Sequence, residues 1–278
     1  MQEGKREVSL IKEKKYDHPS IVSVESLSEK LIVLTLQLED KNRQLEQSEL
    51  ARKKMFSNIT HDLRAPVAVI RGAAERLGHE GIGVEERLKM VRIINSRAAT
   101  LEHLIEDMYI SALLDQPEFS LSPVRLEIAP ILEEYFISME GAGRFDGRDN
   151  KLEIPDGFSE CVMIDLRYFF RVLDNLLSNA LTHTKPGNSI ELGCRVNDGS
   201  IEIFVADSGS GIKPSDMPNI FDRTFSGAAA RTPGKAGSGL GLSISRTIVE
   251  KHGGALRCDS VYGEGSTFTI SLPLVRCY

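Results

Sequence analysis

Residues 21–65 contain no glycine and no proline, and from Leu27 a repeat of three and four residues begins. Leu27, Leu31, Leu34, Leu38, Lys41, Leu45, Ser48, Arg52, Met55 and Ile59 all fall on the a/d seam of a heptad. Only Lys41, Ser48 and Arg52 among them are polar. The intervening residues, as in EDKNRQLEQSELARKK, carry both signs of charge, as a solvated flank does. An amphipathic helix packed on its own domain would show the same stripe. A helix this long needs a partner along its length, however, and pairing with a second copy is the better reading.

The pattern runs on into MFSNITHDLRAPVAVIRG, residues 55–72. Pro66 brings no N–H to the helical ladder and predicts a bend there. The helix should stop near Gly78, and HEGIGVEE, residues 79–86, reads as a turn. A second helix then reaches about Leu114, with Leu88, Val91, Ile94, Ala98, Leu101, Ile105 and Met108 on one face. Two antiparallel helices with stripes too wide for one partner make a four-helix bundle when two chains meet.

Beyond DQPEFSLSPV, residues 115–124, the character changes. Strand-like segments are VRLEI, NKLEI, ECVMID, SIELGCRV, SIEIFVAD and STFTISLPL, with an Asp-Gly hairpin signal in VNDGS. Helical patterns lie between them in ILEEYFISM, LRYFFRVLDNLLSNALTHT and LGLSISRTIVEKHG. Helices grouped against such a sheet form an α+β sandwich. The chain of 278 residues thus divides into a polar segment 1–25, a coiled-coil helix 26–50, a helical hairpin 51–116, a linker 117–123 and a sandwich domain 124–278.

Composition narrows the function. A net charge of -6 argues against a nucleic-acid partner. Cys161, Cys194, Cys258 and Cys277 form no CxxC pair, which predicts reduced thiols and neither a zinc site nor a disulfide framework. LIVLTLQL, residues 31–38, is too short to span a bilayer, and residues 1–15 are too charged for a signal peptide. The expected location is cytoplasmic, either free or as the cytoplasmic part of an anchored sensor. Residues 1–25 are too few for a sensory domain, so a sensory or membrane segment is expected upstream.

Three motifs place polar residues where the pattern asks for core. In LDNLLSNALTHT, Asn175 and Asn179 stand one helical turn apart on one face. They are either satisfied surface residues or oxygen ligands for a hard cation such as Mg2+. In VADSGSGI a strand ends at Asp207, and Gly209 and Gly211 let backbone approach a ligand. Asp207 either forms a turn or accepts from an exocyclic amine such as that of adenine. In GKAGSGLGLSISRTIVEKHGG, Gly237, Gly239 and Gly241 lead into a helix, where free N–H groups and the helix dipole suit phosphate. No GxxxxGK[ST] is present, so this is not a Walker loop. FDRTFSGAAARTPGKAG, residues 221–237, reads as a lid.

The order His-Asp-x-Arg-x-Pro, N-x-x-x-N-A, D-x-G-x-G, F-x-R and G-x-G-L-G-L resembles the sensor histidine kinases of two-component signalling, over residues 25–278. That resemblance implies an all-α dimeric hairpin, a four-helix bundle in the homodimer, followed by an α+β sandwich ATP-binding domain of the GHKL type. It implies ATP and Mg2+ as cofactors and a response regulator as partner. His61 would attack the γ-phosphate, Asp62 would take or orient the ring proton, and Arg64 would steady charge. Asn179 would be the metal ligand, with Asn175 beside it, while Asp207 reads adenine. Gly209 and Gly211 would shape the base pocket, His183 would form its wall, and Phe221 opens the lid segment. Lys235, Gly237, Gly239, Leu240 and Gly241 would cover the triphosphate.

Two departures stand out. Thr182 occupies a position where relatives carry Lys or Arg, leaving Lys185, Arg223 or Lys235 to supply that charge. Ala65, four residues after His61, stands where phosphatase-active relatives carry Thr or Asn to hold a water, which predicts a net kinase. His79, His103 and His252 read as solvent-facing or helix-end residues. Other GHKL ATPases lack the histidine-bearing hairpin, and a degenerate scaffold would lack Asn179, Asp207 or the glycines.

Overall fold

The computed structural model describes residues 19–79, 81–223, 225 and 239–277. The chain separates into two compact units, residues 1–56 and 57–278. Helix α1 (Pro19–Leu77) is assigned without a break, and Pro66 lies inside it. It starts within the segment expected to be polar and loose; residues 1–18 lie outside the described residues. In the first unit Leu31, Leu34, Leu38 and Leu45 are exposed in the single chain. Seam positions Leu27, Ser48, Arg52 and Met55 have side chains outside those described.

In the second unit the heptad carries on. Ile59, Pro66 and Ala73, each seven residues from the next, are the buried positions of this part of α1. Helix α2 (Val84–Leu114) follows, and Arg76 Nε of α1 donates to its Glu86 Oε1 at 2.8 Å. The stripe expected on α2 is not what the single chain buries. Leu88, Val91 and Ile105 are exposed, whereas Met90, Leu104, Asp107, Ile110, Ser111 and Leu114 are buried. The buried set includes two polar residues because the C-terminal half of α2 packs on the sandwich, against α5.

The sandwich comprises β1 (Val124–Glu127), α3 (Ile128–Gly141), β2 (Asp149–Glu153), β3 (Cys161–Ile164), α4 (Leu166–His183), β4 (Ser189–Asn197), β5 (Ser200–Asp207), α5 (Gly241–Lys251), β6 (Ala255–Val261) and β7 (Gly265–Pro273). Its main sheet has the order β2-β4-β5-β7-β6, parallel between β2 and β4 and antiparallel elsewhere, while β1 and β3 form a separate antiparallel pair. Central β5 alternates Ile201, Ile203 and Val205 toward one face, all fully or nearly fully buried. Against β5 packs α4, with Val172, Leu173 and Leu176 buried, and α5, with Ile244 and Ile248 buried, packs on α4 and β6. Burying each such side chain is worth about 1.5–3 kcal/mol before entropy is charged. On the other face Phe204 lies over Gly193, leaving no room there for a Cβ.

Strand β6 was not among the expected elements. Of its residues only Leu256 is buried, because it is an edge strand pairing with β7 alone. The cysteine expectation is also corrected, since Cys161 and Cys277 form a disulfide. Val275 donates its N–H to the Cys161 carbonyl at 3.0 Å, which carries the end of the chain back along β3. That brings the two Cα atoms to 5.6 Å, within bonding range. Cys194 and Cys258 are free, and burial pushes their thiols up to about 11 and about 12, so both stay protonated at neutral pH. Among the described residues no helix is long and apolar enough to cross a membrane.

Candidate active site

His61 sits on the outer face of α1 with its side chain 84% exposed. Its Nδ1 lies 3.3 Å from Oδ1 of Asp62, which is largely covered. Nδ1 is thus turned to that carboxylate, and Nε2 is the ring nitrogen left facing away from it. Arg64 and Ala65 are exposed beside it.

The second group gathers around α4. Its apolar face is fixed by Phe169, Val172, Leu173, Leu176, Leu177 and Ala180, all buried, which leaves Asn175 and Asn179 on the open side. Asn175 donates its amide to Gly241 O and to Ser245 Oγ, each at 3.1 Å, tying α4 to the first turn of α5. A Cβ on Gly241 would stand 3.4 Å from the Asn175 side chain, so the glycine sets how closely the two helices approach. Thr182 spends its hydroxyl on Ser178 O at 2.7 Å, inside its own helix. Arg148 caps the C-terminal end of α4. Its guanidinium donates to Leu181 O, Thr184 O, Thr184 Oγ1 and Phe145 O at 2.7–3.1 Å.

Asp207 ends β5, and its Oδ1 accepts the Gly209 N–H at 2.9 Å. Burial pushes its carboxyl above the ordinary range, partly opposed by that hydrogen bond and by nearby His183. Gly209 packs against the His183 carbonyl, to which Ser210 donates at 3.2 Å. Gly211 has φ +60° and lies against the Val261 carbonyl, so a side chain there is excluded by both strain and space. Gly265, with φ +138°, abuts the Asp207 carbonyl. Asn188 completes the cradle, donating to Ser208 O at 2.7 Å. Gly265 and Asn188 were missed in the sequence, for their roles come from contacts across the β6–β7 turn and the α4–β4 loop.

Part of this set lines one cavity of about 1240 Å³, from whose wall Gly209, His61 and Asp62 are absent. Asn175, Asn179, His183, Asp207, Gly211, Gly239 and Gly241 are all on its wall. Phe221 is nearby, edge-on to Phe268 at 6.5 Å with the Arg246 guanidinium over its ring. Leu240 is fully buried beneath the entry to α5, and Lys235 and Gly237 lie outside the described residues. Of the cations named to replace a lysine at position 182, Lys185 is absent from the wall. Arg223 is held by both oxygens of Asp115, at 2.5 and 2.6 Å. The histidine readings hold, since His252 stands at the C-terminal end of α5 and His103 is exposed, and the structure adds their surroundings. His252 is half-buried, accepting from Asp165 N and donating to Ile248 O, both at 2.8 Å. His103 is exposed yet stands on the cavity wall.

The cavity chemistry defines a class. An acid-and-glycine floor, an asparagine rail and a glycine-led helix entry on an α+β sandwich make a nucleotide-binding ATPase domain, joined here to a helical hairpin carrying an exposed histidine. Comparison with known proteins agrees. Residues 164–276 match the histidine kinase-, DNA gyrase B- and HSP90-like ATPase family model, and residues 51–116 match the His Kinase A phospho-acceptor domain. The sensor protein SrrB of Staphylococcus aureus (strain NCTC 8325 / PS 47) is 32% identical over 228 residues, 80% of this chain and 38% of the relative. The chain thus spans well under half the length of the curated relatives it matches. Among solved structures, Acinetobacter baumannii histidine kinase AdeS shares the fold at TM-score 0.58 and 19% identity, covering 78% of this chain and 98% of that one. Histidine kinase ThkA, solved in complex with response regulator protein TrrA, does so at TM-score 0.64 and 23% identity, covering 79% and 61%. The chain belongs to the sensor histidine kinases.

Proposed function

We propose that this chain is the kinase core of a two-component sensor, which phosphorylates its own His61 from Mg-ATP and passes the phosphoryl group to an aspartate of a response regulator. The observation that carries this reading is the pairing, in one chain, of an exposed His61 backed by Asp62 with the asparagine, aspartate and glycine cavity. Asp62 keeps the ring proton on Nδ1 so that Nε2 attacks the γ-phosphorus, and the bond to the leaving ADP oxygen breaks as the new N–P bond forms. Arg64 balances charge beside the acceptor. Asp207 accepts from the adenine amine, and Gly209 and Gly211 let the loop lie flat against the base. Phe221 opens the lid, and Lys235, Gly237, Gly239 and Leu240 with Gly241 cover the phosphates.

Asn179, with Asn175 Oδ1 beside it, fits Mg2+, which takes one or two protein oxygens and fills its shell from phosphate and water. Among the described residues no cluster of His, Cys, Asp or Glu would bind such an ion without nucleotide. The ion neutralises phosphate charge when bound. Dimerisation is supported by the exposed Leu88, Val91, Ile105 and Tyr109 on α2 and Val67 and Val69 on α1, apolar surface that one chain leaves uncovered. The response-regulator partner is supported by the fold shared with ThkA, which was solved with TrrA. A cytoplasmic setting follows from the same reading.

Phosphotransfer tests the scheme. Labelled protein mixed with a receiver domain should lose its label to that domain's aspartate, and a label that stays on the kinase with every receiver tried counts against the partner. Ala65 offers no group to position a water, so net kinase behaviour is expected. Ala65→Thr should speed loss of label from the receiver several-fold, and an unchanged rate contradicts that role.

A further inference from the structure

Inside the cavity an ATP molecule with its Mg2+ brings net negative charge to the end lined by Asn175 and Asn179, and α4 has no cation to meet it. Thr182, on the same wall, has its hydroxyl turned back to Ser178 O. Of the other arginines, three are already engaged, while Arg144 stands on the cavity wall beside Met139 and Ala142 after α3. Arg148 is spent on the carbonyls that end α4, Arg223 on Asp115, and Arg171 on Glu106 and Asp107. Lys213, on the loop after Gly211 and also on the wall, holds its ammonium 5.9 Å over the Tyr262 ring.

The cavity has a second wall that belongs to the helical hairpin. The Arg171–Asp107 pair, with both side chains largely buried, joins α4 to α2. From that pair two rails run along one cavity. On α4 they are Asn175, Ser178, Asn179 and Thr182; on α2 they are His103, Thr100 and Arg97. At 1.5 Å rise per residue the rails reach about 15 Å along each helix, so they are matched in length. The α4 rail is neutral. The α2 rail carries Arg97 and His103, neither of which is in an ion pair among the described residues.

We infer, resting on the ATP-site reading above, that α2 completes the nucleotide site: Arg97 and His103 of the bundle bind the triphosphate opposite Asn175 and Asn179. The bundle is then part of the nucleotide site as well as the bearer of the phospho-acceptor. Arg97 supplies a guanidinium fork to phosphate oxygens, and His103 supplies a ring N–H one to two turns away. Thr100, between them, adds a hydroxyl.

Titration calorimetry on the full chain tests this with Mg-ATP and with adenosine, which shares the base but lacks the phosphates. The Arg97→Ala/His103→Gln double variant should bind Mg-ATP roughly tenfold more weakly, while adenosine affinity stays within about twofold. Arg97→Lys, which keeps the charge, should recover part of the loss. An unchanged Mg-ATP affinity overturns the inference, as does an equal loss for both ligands, which marks a merely structural role. Asp207→Asn separates the two readings. If it abolishes binding while the double variant matches the wild type, the ATP site stands and the inference alone falls. A wild type that binds neither ligand removes both.

Discussion

Single side chains in this molecule do their work through a few well-placed hydrogen bonds, and His252 shows it away from the site. It is held as the neutral tautomer, its Nδ1–H on Ile248 O and its Nε2 accepting from Asp165 N–H, and Asp165 N-caps α4. Burial lowers its pKa below the ordinary value near 6.5, outweighing the pull of the Ile248 carbonyl and Asp165. A histidine buried neutral binds fewer protons folded than unfolded. Its contribution is therefore complete above about pH 6.5 and lost as pH falls through the folded-state value. Urea midpoints should drop more steeply below pH 6.5 in the wild type than in His252→Gln, which has no titrating ring. Parallel profiles would show that the ring does not couple to folding.

At the scale of elements, the decisive contact is that of α2 with the sandwich. Arg171 and Asp107 are 15% and 11% exposed, and Arg171 Nε is buried without a hydrogen-bond partner. Removing one charge from such a pair strands the other, at a cost of about 3–5 kcal/mol, while replacing both with apolar groups is close to neutral. Arg171→Met should weaken the coupled unfolding of hairpin and sandwich, and Arg171→Met/Asp107→Leu should restore most of it. An additive cycle would contradict the pairing. This contact was invisible in the sequence, because Asp107 falls off the apolar period that picks out Leu101, Ile105 and Met108. What was legible had strong periodicity: α4 and β5 came out within a residue of their ends because each buries a whole face. Strand β6 was illegible for the opposite reason, having only Leu256 to bury. The asparagine rail, Asp207 and the glycine loops were legible as polar residues and glycines set into apolar patterns. The α2 side chains on the same cavity wall were not, since Arg97 and His103 look like ordinary surface residues until α2 is placed.

For the whole molecule, two long-range features decide how it holds together. The Cys161–Cys277 bond links positions 116 residues apart, a separation no local pattern signals. It restricts the unfolded chain, so its reduction should cost about 2–4 kcal/mol. A denaturant midpoint that stays put on adding reductant would mean that the bond adds nothing to stability. The second belongs to the proposed dimer, whose second copy would cover Leu31, Leu34, Leu38 and Leu45 of α1 and Leu88, Val91 and Ile105 of α2, all exposed in the single chain. The central claim, that His61 takes phosphate from ATP bound in the cavity, is tested most directly with γ-labelled ATP and Mg2+. Wild type and His61→Gln are incubated side by side, and the label is challenged with acid. Acid-labile label is expected on the wild type and none on His61→Gln. Label that persists on His61→Gln, or that survives acid, would contradict it.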